Sequence, residues 1–255
     1  MKEFLNRIID EAAALSLEYK RQLQSDTLTV NRKSQKDLVT EADVAVERFL
    51  VEQIQAAYPD HAILGEESGT HDGNDWRWII DPIDGTTSFV HDQPFYSVSV
   101  AVEHQGKMVL GAVHAPVLGE LFMAERGKGA TLNGQPIGVS QCAALSDAVL
   151  GTGFACVRKD KPHNNMAYFP KLMPIIRDVR RYGSAAIDLA YVACGRLDGF
   201  WELNLNLFDM AAGMLLVQEA GGVVTDFDGT AEGLPGCITA ANPTLHPLLL
   251  AALKA

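Results

Sequence analysis

Long apolar runs are missing from this 255-residue chain; none approaches the ~20 residues needed to cross a bilayer as a helix. Its first 24 residues, MKEFLNRIIDEAAALSLEYKRQLQ, carry acids throughout and no uninterrupted apolar stretch. Neither a spanning helix nor a secretory signal is therefore expected. Cysteine is sparse: Cys142, Cys156, Cys194 and Cys237 lie far apart and form no C-x-x-C pair. That spacing argues against a disulfide framework or a thiolate metal site and for free thiols in a reducing compartment. Positive charge is also short, with 21 Lys and Arg against 32 Asp and Glu, a formal net charge of −11. Such a balance disfavours nucleic acid or an anionic membrane recognised through bulk charge. An anionic small substrate stays open, because a bound cation can invert a local field. Together these features lead us to expect a cytoplasmic protein without membrane segments.

What the chain does have is apolar content: 47% of its residues are hydrophobic, enough for one large core or two fused halves. Phe4, Ile8, Ala12 and Leu15 recur at helical spacing, and a second helix is expected after Thr40, with Phe49, Leu50 and Ile54 buried, ending before Pro59. AILGEE (62–67) and WRWII (76–80) read as strands. From Tyr96 to Val102 apolar residues alternate with Ser97, Ser99 and Ala101, a period of two that predicts another strand. KMVLGAVHAP and ELFMAERG follow as its antiparallel neighbours, and Asn133-Gly134 signals a hairpin.

Past about residue 145 strands and helices alternate. Helices are expected near 163–178 and 184–194, then a strand at LDGFWEL, a helix from Phe208 to a glycine stop, strands at VVTDF and CITAA, and a closing helix over 243–255. The fold class is thus mixed α/β in stacked layers, mainly antiparallel to about residue 140 and α/β beyond it. No repeat, low-complexity tract or linker divides it, so residues 1–255 are treated as a single domain.

Acids occur where strands or loops meet helices: Asp43 in DLVTEAD, Glu66 in LGEES, Asp81 and Asp84 in DPIDGTT, and Asp209 in LFDMAAG. Burying carboxylates costs free energy unless a cation or a partner receives them. Hard divalent cations such as Mg²⁺ take oxygen ligands. Pro82 stiffens the spacer between the two aspartates, the Ile83 carbonyl can turn toward the same ion, and Gly85 permits a turn most residues resist. Thr86 and Thr87 would open a short helix whose free N–H groups suit a phosphate. No histidine or cysteine sits among these acids, which disfavours zinc. A plainer reading stands beside this one: Asp-Gly is a common turn dipeptide, and Asp43, Glu66 and Asp209 taken singly are solvated acids or helix caps. His91 and His114 read as surface or core hydrogen-bonders, Trp76 and Trp78 as core, and Arg180-Arg181 as a solvated basic pair, with a dimer interface or the active-site rim as the alternatives.

In combination, GEES, DPIDGTTSFVHDQPFYSVSVA and GSAAIDLAYVACGRLDGFWELNLNLFDMAAG resemble the inositol monophosphatase family of magnesium-dependent sugar phosphatases over nearly the whole chain. The wider superfamily, with fructose-1,6-bisphosphatases and 3′-phosphoadenosine-5′-phosphate phosphatases, shares the acidic motif; TTSFVH is most similar to the inositol branch. The resemblance implies a layered α-β-α-β-α fold, usually a homodimer, and hydrolysis of myo-inositol 1-phosphate or a similar monophosphate with two or three Mg²⁺ per subunit and inhibition by Li⁺. Histidinol phosphate, fructose 1,6-bisphosphate or a phosphonucleotide are alternative substrates, and some bacterial members also act in RNA-polymerase-associated complexes.

By the same resemblance Glu66, Asp81 and the Ile83 carbonyl would hold one Mg²⁺, and Asp81, Asp84 and Asp209 a second. Glu67 would support a weaker third site through water. Asp43 and Thr86, with Glu66, form the catalytic set; Asp84, Gly85, Thr86, Ala185, Glu202 and Asp209 form the substrate-facing set. Many bacterial members carry Pro-Trp before the last aspartate where this chain has Leu207-Phe208, which implies altered packing with the ligand retained. Asn204 and Asn206 on that segment are candidates for shifting substrate preference.

Overall fold

The computed structural model describes residues 1–24, 30–32, 38–158, 161–231 and 236–254. Helix α1 (Lys2–Gln24) precedes a small pair of strands, β1 (Val30–Arg32) and β2 (Leu38–Thr40), and helix α2 (Glu41–Ala57). Strands β3 (Ala62–Gly65), β4 (Gly69–His71) and β5 (Trp76–Asp84) lead into the short helix α3 (Thr86–Val90). Next come β6 (Ser97–His104), β7 (Lys107–Ala115), β8 (Glu120–Glu125), β9 (Gly129–Leu132) and β10 (Gln135–Pro136). The second half holds β11 (Val149–Thr152), α4 (Ala155–Arg158), α5 (Phe169–Leu172), β12 (Asp178–Arg180), α6 (Ala185–Ala193) and β13 (Gly199–Leu205). It closes with α7 (Leu207–Glu219), β14 (Val223–Thr225), β15 (Gly236–Ala241) and α8 (Leu245–Lys254); of the helix expected over 243–255, Ala255 lies outside the described residues.

Two sheets organise the described residues. An eight-stranded sheet runs in the order β10-β9-β8-β7-β6-β5-β3-β4 and is antiparallel except at β3–β5. A five-stranded sheet, β12-β11-β13-β15-β14, pairs β11 in parallel with both β12 and β13. Strand periodicity sends successive side chains to opposite faces. Trp78 and Ile80 therefore pack with Leu5, Ile8, Leu50 and Ile54 of α1 and α2, while Ile79 joins α6 and α7 on the other face. In the same way Phe200 meets the α6–α7 layer, and Trp201 and Leu203 meet Leu245 and Leu249 of α8. The order of layers is helices, sheet, helices, sheet, helices, a mixed α/β fold. Every residue of α6 is buried and all but Asp188 are apolar, as suits a helix between two sheets.

One expected element fails. The predicted helix at 163–178 breaks into a single 3₁₀ turn, Asn165–Ala167, and α5, four residues long, followed by turns. Pro170 sits in the first turn of that helix, and Pro174 has no N–H to donate to the carbonyl of residue 170, so the turn cannot propagate. The Asn133-Gly134 hairpin forms, both residues at positive φ (49° and 76°) as a two-residue turn between twisted strands requires. Among the described residues no helix is long and apolar enough to cross a membrane.

Candidate active site

Strand β5 extends beyond WRWII through both aspartates, and its pairing with β6 explains their placement. Asp81 lies opposite Ser99 and Asp84 opposite Ser97, so three steps on β5 match two on β6. In a regular strand residues three apart face opposite sides; one extra residue returns them to the same side. The bulge falls at Pro82-Ile83, where proline has no ladder hydrogen to lose. Asp81 and Asp84 both turn toward the α6–α7 layer as a result.

There they meet acids from distant parts of the chain. A cavity of about 130 Å³ is lined by Glu66, Asp81, Ile83, Asp84, Gly85, Thr86, Ala185, Glu202 and Asp209. These are all the metal-ligand and substrate-facing residues expected from the sequence; of the catalytic set only Asp43 is absent from the lining. Gly85 stands at φ 96°, and a Cβ there would meet the Phe95 carbonyl at 2.9 Å, so the turn into α3 admits glycine alone without strain.

Each carboxylate is held differently. Asp84 Oδ2 accepts from Ser184 Oγ at 2.6 Å and from the Ala186 N–H at 2.7 Å, at the N-terminus of α6. Burial still raises the Asp84 pKa to about 6, with Glu202 and Glu66 adding repulsion. Asp81 is 1% exposed and its Oδ1 has no hydrogen-bond partner. Burial, then the charges of Glu66, Asp84 and Asp209, push its pKa well above the usual range. An orphaned buried carboxylate oxygen among mutually repelling acids is the environment a cation relieves. The donors are oxygens only, which suits a hard divalent ion. Among the described residues, however, no three histidine, cysteine or acidic side chains close into a metal-ligating group on their own.

Asp43 sits behind the cavity. The Thr40 N–H and hydroxyl both donate to its Oδ2 (2.8 and 2.5 Å), in a capping box that starts α2. Its Oδ1 lies 3.3 Å from Thr86 Oγ1, a group that does line the cavity. Burial, with repulsion from Glu67, lifts Asp43 to about 6. Asp209 differs from the simple N-cap that its position suggested. Asn206 is the N-cap of α7, and Asp209, three residues on, accepts from the Asn206 N–H.

The profile of the inositol monophosphatase family matches residues 1–255. An inositol-1-monophosphatase from Synechocystis is 48% identical over 222 residues, covering 86% of this chain and 77% of the relative. Nus factor SuhB from Pseudomonas aeruginosa is 46% identical over 236 residues, covering 90% and 87%. The crystal structure of extragenic suppressor protein suhB from Bartonella henselae superimposes with a TM-score of 0.92 at 39% identity, covering 99% of this chain and 98% of that one. The chain belongs to the inositol monophosphatase family. Membership supports a phosphatase, and the fold is shared over nearly the whole chain.

Within this inositol monophosphatase cavity stand two residues outside the expected ligand and substrate sets, Asp188, which the sequence did not single out, and Arg181. Asp188, on α6, lines it with an unpartnered Oδ1 and is 1% exposed. Burial and then repulsion from Glu202 and Asp84 raise its pKa well above the carboxylate range. Of the Arg180-Arg181 pair, Arg181 takes the cavity-rim alternative rather than the solvated one, as the cavity's one cation among the described residues; Arg180 stays outside, paired with Asp178 at 2.6 Å. The signal for both was local: GSAAID places an acid one turn into a helix whose first turn holds Asp84, and Gly183 brings the preceding Arg181 close. Phe208 and Leu207, the pair whose packing was expected to differ, pack partly buried against the central core.

Proposed function

We propose that this chain is a Mg²⁺-dependent phosphomonoesterase that hydrolyses a polyol or sugar monophosphate, with myo-inositol 1-phosphate the first candidate. The convergence of Glu66, Asp81, Asp84 and Asp209 on one small cavity, beside Gly85-Thr86 and Glu202, carries this reading. Glu66, Asp81, the Ile83 carbonyl, Asp84 and Asp209 would hold two ions, and Glu67 would support a third through water. Bound there, Mg²⁺ supplies charge neutralisation for the phosphoryl oxygens and acidifies water.

The remaining work falls to the protein's own groups. The Thr86 hydroxyl has its hydrogen directed at Asp43 or at the Ile83 carbonyl, which leaves its lone pairs to accept from a water in the cavity. That water attacks phosphorus as its proton passes to Asp43. The ester P–O bond breaks, the leaving alkoxide takes a proton from solvent, and inorganic phosphate departs. Phosphoryl transfer asks little covalent chemistry of a protein, so aim and charge dominate. Glu202 and the Ala185 segment would meet polyol hydroxyls on the leaving-group side. Homodimerisation, a cytoplasmic setting and Li⁺ inhibition belong to the same proposal.

A second reading is favoured by one observation: the 46% identical Pseudomonas relative is named a Nus factor. A role in RNA-polymerase-associated complexes would need no catalysis. Phosphate release from myo-inositol 1-phosphate, histidinol phosphate, fructose 1,6-bisphosphate and a phosphonucleotide, with Mg²⁺ and with excess EDTA, separates the two. Release that EDTA abolishes supports the enzyme. No release from any compound, together with polymerase capture retained by Asp84→Asn, would install the second reading in its place.

A further inference from the structure

Glu202 owes its position to backbone that is itself held from outside the cavity. Strands β11 and β13 run in parallel with Thr152 opposite Trp201, and the ladder stops there. Beyond it the chain turns through Gly153 into α4. The Glu202 carboxylate packs directly on this turn: a Cβ at Gly153 would lie 2.2 Å from both of its oxygens, and the Ala155 N–H donates to Oε1 at 3.2 Å. A strand end that has left its ladder needs another constraint to keep such a fit.

That constraint is Asn165, which is fully buried and does not line the cavity. Its amide donates to the Gly153 carbonyl at 2.7 Å and to Thr152 Oγ1 at 2.8 Å, and its Oδ1 accepts from Trp201 Nε1 at 2.6 Å. Indole nitrogen only donates and a backbone carbonyl only accepts, so the orientation of the amide is fixed by its partners. Thr152 Oγ1 closes the ring by donating to the Trp201 carbonyl at 2.7 Å. Both hydrogens of the amide and its oxygen are used, in a dry environment where such rings stiffen their members. The bonds tie Gly153, ahead of Ala155, to Trp201, the residue before Glu202.

We propose that Asn165 is a positioning residue for substrate selectivity: by locking the 153–155 turn to β13 it fixes the Glu202 carboxylate against the hydroxyls of a polyol phosphate. The inference rests on the functional reading above for what Glu202 recognises, but the positioning itself does not.

The test uses Asn165→Asp, which keeps the shape and the acceptor for Trp201 but sets an oxygen against the Gly153 carbonyl. Should that variant fold poorly, the pair Asn165→Leu with Trp201→Phe removes both polar partners and leaves no orphan between them. Amide hydrogen exchange at Ala155 should quicken at least about tenfold in either, against unchanged exchange in β6, the equivalent of one lost hydrogen bond. KM for myo-inositol 1-phosphate should rise about tenfold while kcat, and both constants for p-nitrophenyl phosphate, stay within about twofold. Adding Glu202→Gln should then cost little more, because the two changes act on one contact. Unchanged Ala155 exchange, equal KM losses on both substrates, or fully additive effects with Glu202→Gln would overturn the proposal. Faster Ala155 exchange in a protein that hydrolyses neither compound would uphold the positioning and overturn the functional reading instead.

Discussion

The hydroxyl of Thr86 lies 3.3 Å from Asp43 Oδ1 and 3.2 Å from the Ile83 carbonyl, with one hydrogen to share between them. Asp43 belongs to α2 and Thr86 to α3, so the pair joins the outer helical layer to the end of β5. Because Thr40 holds the other Asp43 oxygen through two donors, the carboxylate cannot swing away from the hydroxyl.

Asp43→Asn should therefore lower kcat by about 100-fold or more, a typical general-base loss, with little change in KM. Asp43 accepts a proton only when ionised, and burial raises its pKa to about 6. Wild-type kcat should fall as pH drops through the region near or below 6, and the variant should lose that limb. A pH profile of kcat for both proteins checks this; an unchanged acid limb in Asp43→Asn would assign it to another group.

Removing divalent ions should make stability depend on pH in an unusual direction. Asp84 has its pKa raised from 3.8 to about 6, and Asp81 is also raised, by burial and then by Glu66. A carboxyl raised in the folded state stabilises the fold below its unfolded pKa and loses that contribution as pH rises through its folded pKa. In excess EDTA the melting temperature should thus be higher at pH 5 than at pH 7.5. Asp81→Asn should raise the pH 7.5 value by about 2–4 °C, the shift expected for ~1 kcal/mol in a chain of this size, and should abolish the added stability that Mg²⁺ gives the wild type. Calorimetry that finds the wild type most stable at pH 7.5 without ions would contradict the buried-acid argument.

Glu202→Gln should act on recognition. It keeps an oxygen for the Ala155 N–H but loses charge toward hydroxyl donors, so KM for myo-inositol 1-phosphate should rise about tenfold, the worth of one charged hydrogen bond. Hydrolysis of p-nitrophenyl phosphate should change by less than about threefold. Equal losses in kcat on both substrates would move Glu202 into the chemical step.

Mg²⁺ should activate and Ca²⁺ should bind yet inhibit. Both are hard cations and the donors are all oxygens, but Mg²⁺ demands near-octahedral geometry at ~2.0–2.1 Å while Ca²⁺ takes six to eight ligands at ~2.3–2.6 Å. Titrating Ca²⁺ into the enzyme at fixed Mg²⁺ while following phosphate release tests this. Full activity with Ca²⁺ as the only divalent ion would refute the geometric argument.

Much of this protein is written in short-range pattern. Helix α1, the β5–β9 meander, the Asn133-Gly134 turn and α6–α7 follow from periodicity and turn chemistry, which neighbouring residues decide among themselves. Asp81 and Asp84 were legible as candidates for a related reason, whereas Asp43, Glu66 and Asp209 rose above solvated acids or helix caps only through the family resemblance. DPIDGTT joins a proline that frees a bulge to a glycine that permits φ 96°, and both are backbone properties of the residues named. The helix expected at 163–178 failed on a local rule read too lightly, two prolines four residues apart.

Other features exist only once the chain is folded. Asp188 and Arg181 carry only a faint local signal; they matter because α6 docks its first turn on Asp84 from 102 positions away, as the Ala186 N–H bond records. Asn165 stands in the segment where the expected helix fails, and its partners Thr152 and Trp201 come from two strands that are adjacent only in the second sheet. Nor does composition say that Asp81 lacks a partner for one oxygen: that follows from burial, a property of everything packed around it. Local propensities act within a turn of helix or a step of strand, whereas the cavity's field is a sum over side chains brought together by burial of the apolar layers. The sequence by itself determined which backbone could bulge, turn and cap; only the tertiary structure decided which carboxylates would face one another across a gap too dry to screen them.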